Sequence, residues 1–154
     1  MASERQLKSA EFAGNELEVS DGAAISELRT YKLFGDRFSY EMREPRQVGP
    51  GEYHFVVGRH GDRKLDTAEA KNVWARIEKL KIERWKQRYS PRDLGTDVLD
   101  GPEWSVRLLF EGKTTSSTGL SAFPAHTNPS QTILIYSGAN EYDELIGILK
   151  SLEP

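Results

Sequence analysis

Residues 104–120 read WSVRLLFEGKTTSSTGL and contain the clearest β-hairpin pattern in the chain. Trp104, Val106, Leu108 and Phe110 recur at a spacing of two, which predicts a strand with one apolar face. Glu111-Gly112-Lys113 predicts a tight turn, after which the Thr- and Ser-rich segment 114–120 is expected to pair back as the second strand. The hairpin therefore predicts an antiparallel sheet.

The preceding half of the chain contains further strand patterns. Alternation over 28–44, interrupted by Gly35-Asp36, predicts a second hairpin in which glycine supplies a positive φ. The segment 45–51 is rich in proline and glycine and is predicted to be a loop without strand pairing. A third strand is expected over 52–58, followed by a charged turn over 58–64. Residues 1–24 are expected to be weakly structured, with at most a short edge strand around Leu17 and Val19.

Two amphipathic helices are predicted. Asp66 or Thr67 caps the first, with Glu69 at a capping-box spacing, and the helix is expected to run to about Lys81. Asn140 caps the second, which follows a loop over 121–130 and a short strand over 132–136. Residues 82–89 fit either a helix or an edge strand. The predicted fold class is α+β, with an antiparallel sheet packed against two helices on one face.

The amino-acid composition limits the classes of protein to which this chain can belong. The 154 residues include 37% hydrophobic and 29% charged side chains, which indicates one water-folding domain over 1–154. The absence of cysteine excludes disulfides, thiolate metal sites and cysteine nucleophiles. No apolar run approaches the about 18 residues of a membrane span, and no signal-peptide pattern opens the chain. A cytoplasmic location without membrane association is therefore expected.

No motif for catalysis, cofactor binding or metal binding is recognised. His54, His60 and His126 lie far apart, so a zinc or iron site would need carboxylates brought in by the fold. The acidic residues Asp93, Asp97 and Asp100 lack the spacing of a calcium loop. No Gly-x-Ser-x-Gly elbow surrounds the serines. We therefore expect no cofactor, no metal and no catalytic residue, and a non-enzymatic protein.

Charge is unevenly distributed although the net charge is only −3. Residues 71–92 contain eight basic and two acidic side chains, whereas residues 93–103 contain four acidic and no basic ones. Surfaces of opposite sign favour electrostatically steered association. The predicted partner-binding residues are Lys81, Arg84, Lys86, Arg88, Arg92, Asp93 and Asp97.

The same basic stretch lies among aromatic residues. Lysines and arginines next to Trp74, Trp85 and Tyr89 can neutralise phosphates while the rings stack on bases. The competing interpretation is that these rings are core residues and that the basic side chains form the solvated face of a helix.

A further pattern covers the second half of the chain, about 82–152. It consists of Trp85, an Asp-Gly-x-x-aromatic strand over Asp100 to Trp104, a Gly112-Lys113 turn, a Ser-x-Gly-x-x-x-x-Pro return strand over Ser117 to Pro124 and a C-terminal amphipathic helix. This pattern resembles that of small uncharacterised bacterial proteins. The resemblance implies a hairpin scaffold and brings no activity with it.

Three functions are compatible with these features. The leading hypothesis is a non-enzymatic module that binds another protein, as inhibitors and immunity-type proteins do, because no chemistry motif is present and charge is segregated. The alternative is a nucleic-acid-binding protein that uses residues 79–92. The second alternative is a hydrolase in which Asp100, Glu103 and His126 converge in space. No pattern in the sequence indicates an oligomeric state or identifies a partner.

Overall fold

The computed structural model describes residues 12–22, 26–96, 102–134 and 140–154. The β-strands in these residues are β1 Glu16–Gly22, β2 Leu28–Phe34, β3 Arg37–Gly49, β4 Glu52–Lys64, β5 Arg88–Tyr89, β6 Glu103–Phe110, β7 Lys113–Leu120, β8 Ala122–Pro124 and β9 Thr132–Leu134. The α-helices are α1 Thr67–Lys79 and α2 Glu141–Lys150, and short 3₁₀ turns cover Ile82–Arg84 and Pro91–Leu94.

Within the described residues, seven strands form one sheet in the order β4-β3-β2-β1-β6-β7-β5. Its pairings are antiparallel except for that of β5 with β7, which is parallel. Strands β8 and β9 form a separate antiparallel pair. A mostly antiparallel sheet with two helices is the α+β class predicted from the sequence. In the same residues, no helix combines the length and apolar character that crossing a membrane requires.

The hairpin of residues 104–120 is confirmed. β6 and β7 pair over their full lengths, and Gly112 has a φ of 80°, which glycine adopts without strain. The side chains of Trp104, Val106 and Leu108 are buried, as the alternation predicts.

β1 lies at the centre of the sheet, so the edge position expected for this segment was wrong. It pairs with β2 on one side and with β6 on the other. Leu17 and Val19 are essentially inaccessible to solvent. Leu17 lies opposite Leu33 of β2 and Leu108 of β6. Two apolar residues are sufficient for a central strand when both neighbours contribute residues to the same face.

β3 and β4 are longer than predicted. The turn at Gly35-Asp36 is confirmed, with φ 61° at Gly35. The loop expected over 45–51 is mostly strand, because β3 continues to Gly49 and Pro45 pairs with Phe55. Proline is tolerated here because β3 pairs with β2 only as far as Arg43, and its missing N–H can face the unpaired side.

The charged turn expected over 58–64 is also strand. Met42 pairs with Arg59 and Arg43 with Val57, which leaves Gly58 as the extra residue of a β-bulge. The glycine therefore bends the strand at this point without ending it.

Both predicted helix starts are confirmed. The Asp66 side chain accepts a hydrogen bond from the Glu69 backbone N–H at 2.8 Å, and the Asn140 side chain accepts one from the Asp143 N–H at 2.7 Å. α1 ends at Lys79, two residues before the predicted end, and Lys81 has a left-handed φ of 53°. Residues 82–89 are neither a full helix nor one edge strand, since a 3₁₀ turn leads into the two-residue strand β5.

Trp104 lies within an aromatic part of the core. Its ring centroid is 4.6 Å from that of Tyr142, 5.7 Å from Tyr89, 6.0 Å from Trp85 and 6.1 Å from Phe123. Phe123 belongs to β8, so the loop expected over 121–130 contains a buried strand. The predicted strand over 132–136 is observed to Leu134, and its last residues lie outside the described ones.

Candidate functional site

The aromatic residues of the basic segment are buried. Trp74, Trp85 and Tyr89 expose 4%, 5% and 1% of their surface. Trp74 Nε1 donates to the Gly35 carbonyl at 2.7 Å, and Trp85 Nε1 donates to the Leu80 carbonyl at 3.1 Å. The core interpretation of these rings is therefore confirmed, and none of them offers a free face for a base.

The basic residues of this segment are spread over several elements. Lys81 follows α1, Arg84 lies in the first 3₁₀ turn, Arg88 lies in β5 and Arg92 in the second 3₁₀ turn. Their proposed role in partner binding stays a prediction. Of the acidic residues, Asp97 and Asp100 lie outside the described ones.

Lys86 and Asp93 form an ion pair, although the sequence places them in stretches of opposite charge. The Lys86 ammonium also donates to the Thr132 hydroxyl at 3.2 Å, and that hydroxyl donates to Asp93 at 3.1 Å. The hydrogen bond from Lys86 is the main reason that the pKa of Asp93 lies below its usual range. Through Thr132, the pair connects the second 3₁₀ turn to β9. It also neutralises one charge of the basic stretch 71–92 and one of the acidic stretch 93–103.

A cleft of about 1070 Å³ is lined by residues of both faces of the sheet, including Trp104 and Tyr89 of the buried core and polar residues of β1, β2 and β3. The lining also includes a row of small hydroxyl side chains, one from each of β2, β1, β6 and β7. Each of these residues is paired with the next across neighbouring strands: Thr30, Ser20, Ser105 and Thr118. The wall includes Arg88, Arg92 and Asp93 of the predicted partner-binding set.

The charges of the described cleft lining are balanced. Four arginines, Arg29, Arg43, Arg88 and Arg92, stand against four acids, Asp21, Glu41, Asp93 and Glu103. A nucleic-acid groove requires a clear excess of positive charge to compensate phosphates. Together with the buried rings, this balance gives the nucleic-acid alternative no support in the cleft.

The hydrolase alternative requires Asp100, Glu103 and His126 to converge. The two of these that the structure describes, Glu103 and His126, do not line the same cleft. Glu103 lines the cleft, whereas His126 is not part of its described lining and contacts Glu141 and Glu144 of α2 instead. Asp100 lies outside the described residues.

The outer ribbon, defined as β3 residues 44–49 with β4 residues 52–57, carries the main exposed apolar surface. Strand β2 does not reach this part of β3. Six large hydrophobic side chains are exposed among the described residues, and four of them lie here. Tyr53, Phe55 and Val57, with 44%, 36% and 49% of their surface exposed, alternate along β4 and therefore share one face. We call these three residues the ribbon stripe; the fourth is Val48.

The sequence pattern does not indicate this exposed surface. The aromatic and β-branched composition of 52–58 predicts a strand, which is confirmed, but it does not predict that the strand is exposed. Period-two alternation does not show which face of a strand is covered, because that depends on the neighbouring elements.

No protein-family model matches the chain, and no match is found among the curated proteins. The resemblance of residues 82–152 to small bacterial proteins therefore stays a prediction.

Proposed function

We propose that this protein is a non-enzymatic interaction module that binds another protein through the ribbon stripe. The observation that carries the proposal is the exposure of Tyr53, Phe55 and Val57 on the outermost strand of the sheet. Clustered apolar side chains on a protein surface mark binding sites, and aromatic residues dominate the energetics of such sites.

The distribution of charge along β4 supports the same interpretation. Natural edge strands are protected from pairing by charged side chains. The inner half of β4 follows this rule with Arg59, Asp62, Arg63 and Lys64, whereas residues 53–58 carry no formally charged side chain. The unprotected half is the half that carries the ribbon stripe.

We expect the partner to add a strand to the free edge of β4. This mode of recognition uses main-chain hydrogen bonds for affinity and side chains on alternate positions for specificity. The ribbon stripe supplies the alternate positions. Binding that blocks the partner would make the protein an inhibitor or immunity-type protein.

We also infer that both helices cover one face of the sheet. Leu17, Leu33 and Leu108 are buried side by side on that face, and they belong to the same buried cluster as residues of α1 and α2. Covering this face leaves the hydroxyl row of the opposite face accessible to solvent.

Capture of a partner from an extract of the source organism tests the proposal. The full chain is immobilised beside the triple variant Tyr53→Ser, Phe55→Ser and Val57→Ser. The matched control is Leu94→Ser. Leu94 is 47% exposed, like the stripe residues, but it belongs to the second 3₁₀ turn and not to β4. Circular dichroism establishes that each variant is folded.

The expected result is one protein captured by the wild type and by the control, and lost from the triple variant. When that protein is purified and added back, amide hydrogen exchange over residues 52–58 should slow. Equal capture by all three chains, or no capture, overturns the proposal. Sedimentation that shows self-association lost in the triple variant overturns it as well, because the stripe would then join copies of this chain.

A further inference from the structure

Three metal-ligating side chains meet at the start of α2. His126 follows β8, and Glu141 and Glu144 lie in the first turns of the helix. His126 Nδ1 is 2.7 Å from Glu141 Oε1 and 3.6 Å from Glu144 Oε2. One ligand atom from each residue lies within 4.8 Å of the other two.

The backbone holds these residues together. Ala125 and Asn140 form an isolated antiparallel bridge, which holds the segment that contains His126 against the start of α2. Asn140 also caps the helix, which places Glu141 and Glu144 three residues apart on one helical face. The spacing of the three ligands is thus determined by main-chain pairing and by a helix cap.

Glu141 is buried, with only 6% of its surface exposed. In the described residues, the recorded side-chain partner of Glu141 is His126 Nδ1. The Nδ1–H of His126 can donate to this carboxylate at 2.7 Å, and a metal ion bound to the deprotonated Nδ1 would take the place of that proton between the two side chains.

We propose that His126, Glu141 and Glu144 bind a divalent transition-metal ion of the Zn²⁺ class. With Zn–N and Zn–O bonds of about 2.0–2.1 Å, the ligand atoms of a tetrahedral site are roughly 3.4 Å apart. The observed separations bracket that distance. An imidazole among the ligands favours Zn²⁺ over Ca²⁺ or Mg²⁺, which take oxygen ligands.

The open side of the site faces solvent. The side chains of His126 and Glu144 are 59% and 50% exposed, whereas that of Glu141 is 8% exposed. Three protein ligands leave the fourth position of a tetrahedral ion to water. The helix N-terminus disfavours a cation, but the two carboxylates supply more negative charge than the partial positive charge of the helix end. The ion would cross-link the segment after β8 to α2.

Titration of the metal-free full chain with ZnCl₂ tests the site, with heat release and melting temperature as readouts. Co²⁺ is titrated in parallel, because its visible absorption reports coordination geometry. We expect one ion per chain, a higher melting temperature with metal, and an intense tetrahedral Co²⁺ spectrum. His126→Ala and Glu144→Gln should each weaken binding by more than about tenfold.

His60→Ala is the matched control, because His60 lies on β4 and should not contribute. Circular dichroism of metal-free His126→Ala verifies its folding, and the exposed position of His126 makes a folding defect unexpected. The proposal is overturned if folded wild-type chain binds no Zn²⁺ at millimolar concentration. It is equally overturned if His126→Ala binds as tightly as the wild type or if His60→Ala abolishes binding.

Discussion

Trp104 and Gly119 face each other across β6 and β7 so closely that a Cβ atom added to Gly119 would lie 2.3 Å from Trp104 Nε1. The same Cβ would lie 2.5 Å from the Ala122 carbonyl oxygen, which accepts the hydrogen bond of that indole at 2.9 Å. On its other side Gly119 pairs with Tyr89 of β5. The absence of a side chain at Gly119 therefore allows the aromatic core to approach the sheet.

Gly119→Ala should destabilise the protein by on the order of 3 kcal/mol, because both the indole and a backbone carbonyl must move. Urea denaturation monitored by tryptophan fluorescence measures the change.

Gly147→Ala is the matched substitution in α2. An added Cβ there meets no atom within 4 Å, and alanine is the better helix former, so a gain of about 0.5–1 kcal/mol is expected. Similar effects of the two substitutions would contradict the tight contact at Gly119.

Asp21 joins β1, β2 and α2 through charged hydrogen bonds. Arg29 donates to its two carboxylate oxygens at 2.7 and 2.6 Å, and the Tyr142 hydroxyl donates at 2.5 Å. Tyr142→Phe removes one donor and should cost about 1 kcal/mol of unfolding free energy. Arg29→Met leaves a carboxylate that is 9% exposed without its counter-charge, so about 2–3 kcal/mol is expected. Equal losses in the two variants would show that the charge of Arg29 is unimportant.

Buried tyrosines should make the fold sensitive to alkali. Burial raises the pKa of Tyr31 and of Tyr89 to about 12, and it also raises that of Tyr142. The unfolded chain ionises near pH 10 and the folded chain only near pH 12, so their stabilising contribution is complete below pH 10 and is lost as the pH rises toward 12. Tyrosinate absorbance and circular dichroism should therefore change together. Ionisation of all six tyrosines in a chain with an intact folded spectrum would contradict this expectation.

Tryptophan fluorescence tests whether bases stack on the protein. Trp74, Trp85 and Trp104 expose 5% of their surface or less, so acrylamide should quench the folded protein weakly. Single-stranded oligonucleotides at low salt should leave the emission unchanged. Strong quenching by an oligonucleotide, weakened in Arg88→Ala, would favour the nucleic-acid alternative over the proposed protein partner.

Local sequence predicted the elements whose signals lie within a few residues of each other. The hairpin of β6 and β7 follows from alternation around Gly112, and both helix starts follow from caps at Asp66 and Asn140. In these cases the deciding hydrogen bonds join residues that are close in sequence, so the pattern contains the information.

The sequence by itself determined the α+β class, the β6–β7 hairpin and the positions at which the two helices begin. Only the tertiary structure decided that β1 is central, that the ribbon stripe remains uncovered, and that His126 meets Glu141 and Glu144. These relationships join residues distant along the chain, and whether a side chain is covered or paired depends on which strand or helix packs against it. The packing of the whole core decides which elements meet, so no single segment of the sequence indicates it.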